Sequence, residues 1–454
     1  MEEFEKLVKR THDNGLKVII DFVPNHVARQ YHSIAKPLGV QDLGADDDKT
    51  KAFSPDNNFY YVPGTQLGGE VDLNDPVHGM YIEKPAKATG NNRFDAWPNK
   101  NDWYETVKLN YGVDYMNNTG NHFDPVPDTW KKMRDILLFW SSKGIDGFRC
   151  DMAEMVPCEF WGWVIPQIKQ KHAKLTFIAE VYNPNEYRNY IHNGHFDYLY
   201  DKVGLYDTLR ALTCGYASAT AITGCWQSVN DIQSHMLNFL ENHDEQRIAS
   251  EFFAGDARKA LPALLVSACM NTNPMMIYFG QELGEPGMDS EGFSGRDGRT
   301  TIFDYWSVDS IRRWSNHGRY NLHLLNDQEK ELRHFYQTVL TLCNKEKAIS
   351  KGEFFDLMYV NSDGWMMNPH RQYVFMRKCD DELLLVITNF DSIPVNISVN
   401  IPQHAFDFWG MRQYPEIKSR DLLTGKSEKI AFCADKPVVT DVPAYGGKIL
   451  KIKL

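Results

Sequence analysis

The sequence predicts an α/β chain, a (β/α) barrel followed by a separate antiparallel β domain. Three observations carry this reading. Short apolar runs alternate with helix-period segments through most of residues 1–349, the pattern of βα units on a parallel sheet. Several of those runs end in polar residues, as in barrels whose chemistry collects at strand C-termini. From residue 350 the strand-like runs follow one another with no helical segment between them, which marks 350–454 as an all-β domain.

Taken in order, Phe4, Leu7, Val8 and His12 recur at three and four and open the chain as a helix, and Asn14-Gly15 signals its end. Leu16 to Val23 is a β-branched apolar run and reads as a buried strand. Residues 27–127 then lose periodicity and fill with Gly, Asn, Asp, Pro and scattered aromatics. A bare loop of that length is implausible in a compact chain, so it is an inserted, irregular subdomain, and the barrel comprises 1–26 and 128–349. Asp128 caps a helix running to Lys143, and Ile145 to Cys150 follows as a strand. Residues 158–172 read as helix, Leu175 to Ala179 as strand, 185–193 as a short helix and Phe196 to Tyr200 as strand. Helical residues 203–233 are expected to break at Gly215 and Gly224. His235 to Leu240, a helix over 256–271, Met275 to Phe279 and a helix over 326–345 complete the alternation. Tyr373 to Arg377, Glu382 to Asn389, Val395 to Val399 and Lys448 to Leu454 are the strands of the last domain.

Composition narrows the function classes. Apolar residues make up 43% and charged residues 24% of the 454, which excludes a disordered, collagen-like or disulfide-stapled chain. A net charge of −11 disfavours nucleic acid, because phosphate neutralisation needs clustered Lys and Arg. A neutral substrate is compatible. Aromatics reach 13%, which suits stacking on flat apolar faces, although cores use them too. None of the eight cysteines forms a CxxC pair, so buried free thiols are expected rather than a zinc site. No run of 18 apolar residues is present to span a membrane. The N-terminus lacks the apolar core of a signal peptide. Oligomeric state leaves no mark in the pattern.

Four strand ends carry the informative chemistry: Asp21, Asn25 and His26 after the first run; Arg149 and Asp151; Glu180; and His243 with Asp244. In a barrel, these four carboxylates and their partners would converge at one mouth. Carboxylate pairs ~5–5.5 Å apart perform retaining glycoside hydrolysis, one as nucleophile and one as acid/base. Arg149 lies two residues before Asp151, hence on the same side of the strand, and is expected to hold Asp151 ionised. Glu180 has no cation adjacent in sequence, which suits the acid. Any one of these residues alone reads as a salt bridge or helix cap; four sets, each just past an apolar strand, do not.

Asp21-Phe-Val-Pro-Asn25-His26, Gly147-Phe-Arg149-Cys-Asp151, Ala179-Glu180-Val and Glu241-Asn-His243-Asp244 resemble, in order and spacing, the four short conserved segments of the α-amylase superfamily. Met276 to Glu282 is similar to that family's last-strand motif. The resemblance implies that Asp151 is the nucleophile, that Glu180 protonates the leaving oxygen and then activates water, and that Asp244 stabilises the transition state. It also implies that Arg149 orients Asp151, that His26 and His243 hydrogen-bond the sugar, and that Asp21 supports the site. The substrate implied is an α-1,4-glucan or maltooligosaccharide. A transglycosylase or exo-acting α-glucosidase on the same scaffold, and a catalytically dead glucan-binding remnant, are the alternatives. The insertion at 27–127 corresponds to the family's B domain, and Trp97, Trp103 and Tyr104 form either a stacking wall for sugar rings or the insertion's own core.

The chain departs from the family pattern in two ways. Two strands and a helix precede this first helix in the family, so the expectation is a TIM barrel lacking its first two strands, because six strands cannot close an eight-strand barrel. The second concerns calcium. Asn25 matches one ligand position, but Val107-Lys108-Leu109-Asn110 carries lysine where the family's aspartate stands, and Val71-Asp72-Leu73-Asn74 is a distant rival. Calcium prefers six or more oxygens, so no metal or other cofactor is expected, with the Lys108 ammonium in place of the ion's charge. Asp46-Asp47-Asp48 reads as a solvated turn, and Gly284 to Arg299, ahead of Thr300 to Trp306, as either a rim of the cleft or an ordinary surface loop.

Overall fold

The structure, a computed structural model, describes residues 1–75, 79–287, 295–300, 302, 308–362 and 367–454. The chain divides into two compact units, Met1–Leu199 and Tyr200–Leu454.

In the first unit the opening helix, Glu2–Asp13, ends at Asn14 as the Asn-Gly signal predicts. Ile19–Phe22, Gly147–Cys150 and Thr176–Ala179 pair in parallel and in sequence order, and Tyr198 and Leu199 extend the sheet beside Ile178 and Ala179. Each strand is one to four residues shorter than its apolar run. The register sets Asp21 beside Arg149 and Phe22 beside Cys150. Successive side chains alternate between faces, so one face carries Asp21 and Arg149 while the other carries Phe22, Phe148 and Phe177. That apolar face packs on helix Cys158–Lys171, whose Trp161 ring lies 6.3 Å from Phe22 and 4.8 Å from Phe196. Helix Asp128–Ser141 has Pro127, not Asp128, at its N-cap; the Asp128 carboxylate instead accepts from Asn58 Nδ2 at 2.9 Å.

The long aperiodic stretch folds as paired two- and three-residue strands, His26–Ala28 with Thr106–Lys108 and Tyr61–Val62 with Ala86–Lys87 among them. Its interior is aromatic. Tyr60 meets Phe53, Phe94 and Tyr115 at centroid distances of 6.2, 5.2 and 5.9 Å. A buried Arg29–Glu83 ion pair at 2.6 Å crosses it. Asp47 is not a solvated turn residue: its carboxylate accepts from the Asn58 and Phe59 amides and the Tyr61 hydroxyl.

In the second unit Gly215 ends the helical stretch at positive φ, but Gly224 lies inside helix Ala221–Ser228 rather than breaking it. Strands Met236–Phe239 and Met275–Met276 pair in parallel. Helix Leu261–Cys269 is apolar all round and buried all round, as such a helix must be. It shares one core with the C-terminal sheet, including Phe375, Leu385 and Ile449. That sheet runs in the order Glu353–Asp356, Gln372–Cys379, Glu382–Asn389, Gly446–Lys453, Tyr414–Asp421, Ser427–Phe432. Its pairings are antiparallel, and Val395–Val399 pairs separately with Val438–Val442. Four of these strands and the helix Gln403–Trp409 were not anticipated, so the domain is not purely strands. All eight cysteines are free thiols. No helix among the described residues is long and apolar enough to cross a membrane.

Arg377 ties this unit together. Its buried guanidinium donates to the carbonyls of Ala348, Met270, Ile349 and Gly352 at 2.7–3.0 Å, joining the end of the apolar helix to the β domain. Arg377→Met leaves four buried carbonyls without that donor. It is expected to lower stability by about 3–5 kcal/mol, read as a shift in the denaturant midpoint of this unit. A shift below about 1 kcal/mol, the worth of one ordinary hydrogen bond, would contradict the role.

Candidate active site

The parallel register brings Asp21, Arg149, Asp151 and Glu180 together at the strand ends of the first unit. Arg149 Nη1 donates to Asp21 Oδ1 at 3.0 Å and to Asp151 Oδ1 at 2.7 Å. Its Nη2 forms an ion pair with Glu180 Oε2 at 3.0 Å. No cation adjoins Glu180 in sequence, but the register supplies one: the guanidinium serves three carboxylates, because the strand carrying it lies between the other two. Glu180 also accepts from the Met152 amide at 2.8 Å and the Tyr182 hydroxyl at 2.8 Å.

Asp151 is largely buried among these groups. Burial pushes its pKa up to about 6, with Glu180 and Asp21 acting in the same direction and Arg149 opposing. One positive charge does not offset desolvation and two neighbouring carboxylates. Met152, immediately after Asp151, is held at φ +47°, a left-handed conformation uncommon for a non-glycine residue.

His26 sits on a second cluster in the same unit. Lys108 is buried and donates to Asn25 Oδ1 at 2.5 Å, with the Met155 carbonyl at 3.5 Å. Asn25 Nδ2 donates to the Gly90 carbonyl at 2.8 Å and lies 3.2 Å from His26 Nδ1. Gly90 is required here, since a Cβ would stand 2.9 Å from His26 Cβ and 2.6 Å from Thr106 Oγ1. Burial lowers Lys108 to about 7. Burial, aided by Lys108, lowers His26 to about 4, so its imidazole is neutral at pH 7. Trp103 packs 5.5 Å from the His26 ring and is partly exposed. The insertion's own core is made by Tyr60 and its neighbours, which leaves Trp103 available as a wall.

His243 and Asp244 belong to the second unit, where His243 Nε2 lies 3.1 Å from Asp244 Oδ2. Their turn is fixed by Asn242, whose side-chain oxygen accepts from the Asp244 and Glu245 amides at 2.9 Å. Behind it, fully buried Arg247 donates to Glu241 Oε2 at 2.9 Å and to Thr300 Oγ1 at 2.9 Å, and lies 4.0 Å over the Tyr278 ring. Three supporting residues were missed in the sequence: Tyr182, Arg247 and Glu154, whose carboxylate accepts from the Tyr182 and Asn183 amides at 3.0 Å. Tyr182 was within reach of the alternation rule, two residues past Glu180. Of the stretch from Gly284 to Trp306, residues 288–294, 301 and 303–307 lie outside the described residues. No cluster of three His, Cys, Asp or Glu suited to a metal occurs among the described residues.

A family model described as "Alpha amylase, catalytic domain" matches residues 1–351. Alpha-amylase 3 of Dictyoglomus thermophilum is 23% identical over 457 residues, covering 94% of this chain and 76% of that protein. Cyclomaltodextrin glucanotransferase of Geobacillus stearothermophilus is 27% identical over 292 residues, 62% of this chain and 35% of that protein. The chain thus spans about three quarters of the first relative's length and about a third of the second's. Among solved structures, an alpha-amylase from Geobacillus thermoleovorans complexed with acarbose superposes with a TM-score of 0.63 at 17% identity, covering 99% of this chain and 80% of that one. At that identity the likeness establishes the fold.

If Glu180 helps lift Asp151, Glu180→Gln will lower the Asp151 pKa below about 6. Carboxyl-carbon NMR of aspartate-labelled chain reads it, and an unmoved titration would show the two groups uncoupled.

Proposed function

The chain belongs to the α-amylase family, and on that premise we propose that it is a retaining glycoside hydrolase acting on α-1,4-glucans or maltooligosaccharides. The observation that carries the reading is the single guanidinium within 3.0 Å of Asp21, Asp151 and Glu180, on the ends of three neighbouring strands. In this reading the ionised Asp151 oxygen attacks the anomeric carbon. The glycosidic C–O bond breaks as Glu180 gives its proton to the leaving oxygen. Water then attacks the same carbon, Glu180 takes the water's proton, and Asp151 is released.

The step needs Glu180 to carry a proton and Asp151 to be ionised when the sugar is bound. Arg149 contacts both carboxylates, with the shorter contact, 2.7 Å against 3.0 Å, to Asp151. Neutral His26 offers a hydrogen bond to a sugar hydroxyl without adding charge, and Trp103 beside it offers a stacking face. Asp244 and His243 are assigned the transition-state and sugar-binding roles that the family resemblance implies. The acarbose-bound relative and the glucanotransferase are the reasons to place hydrolysis and transfer within one test.

We propose further that Lys108, rather than calcium, occupies the Asn25 oxygen, its amine fully charged only below a pH of about 7. A ligand set does not fit there, because the ammonium already occupies the Asn25 oxygen. Chelator is then expected to leave the melting temperature unchanged. Lys108→Ala is expected to cost about 2–4 kcal/mol through a cavity and an unpaired amide oxygen. Stoichiometric metal in the purified chain, lost with Asn25→Ala, would overturn this.

Maltoheptaose followed by chromatography tests the activity. Short maltosides support hydrolysis, longer products redirect the reading to transfer, and no products overturn it in favour of an inactive glucan-binding chain. Asp151→Asn is expected to reduce turnover by several orders of magnitude, as removal of a covalent nucleophile does. Because Asp151 must be ionised and its pKa is raised, kcat/KM is expected to fall as pH drops through about 6.

A further inference from the structure

The second unit contains a cleft of ≈ 590 Å³ unconnected with any residue invoked above for catalysis. Gln233, Asn271 and Thr272 on its wall immediately precede the strands Met236–Phe239 and Met275–Met276. His243 and Asp244 follow the opposite end of Met236–Phe239, a four-residue strand and hence ~13 Å long. The cleft therefore opens at the other end of the strand from the catalytic candidates in this unit.

Its lining is aromatic and nearly uncharged in effect. Trp226 packs edge-on against Phe354 at 5.2 Å, and Phe355 supports Phe408 at 5.8 Å. Tyr359 and Phe408 are 56% and 58% exposed, unusual for side chains of that size beside a cavity. Gln227, Asn230 and Gln233 present side-chain amides on the same wall. Arg377 is the only basic residue lining the cleft among the described residues, and its guanidinium is spent on four backbone carbonyls. Asp356 is spent on Thr223, Trp226 and Tyr373.

These features select a ligand class. An anion finds no available cation, and acidic Glu353 and Asp356 repel it. A cation finds amides and aromatic edges but only those two carboxylates, both already accepting hydrogen bonds. Flat apolar faces beside amides suit a neutral ring with an apolar face and a hydroxylated rim. We propose that this cleft is a second, non-catalytic carbohydrate site that takes a segment of α-glucan, stacked on Tyr359 and Phe408 and hydrogen-bonded by Gln227 and Asn230. The choice of glucan over other pyranosides rests on the function proposed above. The site would hold one part of a polymer while another part is processed, which adds avidity without new catalytic contacts.

Adsorption of the full chain to insoluble starch, and titration with β-cyclodextrin, test it. The double variant Tyr359→Ala/Phe408→Ala is expected to weaken adsorption about tenfold, the loss of two stacking contacts, while Phe408→Tyr preserves it. Maltotriose turnover measured on the same preparations reports the catalytic centre separately. Lost turnover with retained, variant-sensitive adsorption would sink the hydrolase reading and leave this one standing. Adsorption equal in the double variant and the unaltered chain, or no adsorption at all, overturns the proposal. Independently of folding of the variants, β-cyclodextrin is expected to slow amide hydrogen exchange at 226–234 and 353–359 of the unaltered chain. Absence of that protection overturns the proposal equally.

Discussion

One guanidinium shared by three carboxylates is the constraint on which the polar strand ends of the first unit depend. Arg149 is only 11% exposed, and Glu180 only 5%, so neither is solvated enough to stand without the other. A buried cation of this kind is costly to strand, and the strands that carry its partners are held in register by that cost as well as by their backbone ladder. Three negative partners against one positive charge also leave the cluster short of compensation. That shortage, together with burial, explains why Asp151 is lifted toward neutrality. A carboxyl whose pKa is raised by burial and neighbouring charge is the kind of group that functional sites use.

The parallel strands of the first unit were legible because apolar and charged positions alternate in them. Their outer positions are Phe22, Phe148 and Phe177, and their inner positions are Asp21 and Arg149, so alternation alone placed the charged residues on one face. What alternation did not convey was reach. Arg149 was expected to serve its own strand, whereas parallel neighbours offer it Asp21 on one side and Glu180 on the other. The contact is between strands far apart in sequence, and no local rule records it. Lys108 was visible only through family resemblance, since a lone lysine in an aperiodic stretch carries no signal of burial.

In the C-terminal domain Glu382–Asn389 was read correctly because it is an apolar run, and Val395–Val399 because its apolar residues alternate with polar ones. Tyr414–Asp421 was not, because it reads YPEIKSRD and buries only two of its eight side chains. Its strand character comes from pairing with Gly446–Lys453 and Ser427–Phe432, not from its own composition. Gly224 was misread for the converse reason. Nothing lies within 4 Å of the position its Cβ would take, so the glycine answers to no packing demand, and helix Ala221–Ser228 tolerates it through the tertiary contacts of Ile222.

The apolar helix Leu261–Cys269 has a bearing on how such chains are inherited. It belongs by order to the barrel, yet its greasy surface is sheathed by the terminal sheet, with Arg377 as the bolt. Recombination that swapped the tail for that of a distant cousin would expose or clash with this helix unless both were exchanged together. The seam along which evolution is free to cut therefore does not fall where the strands stop alternating with helices.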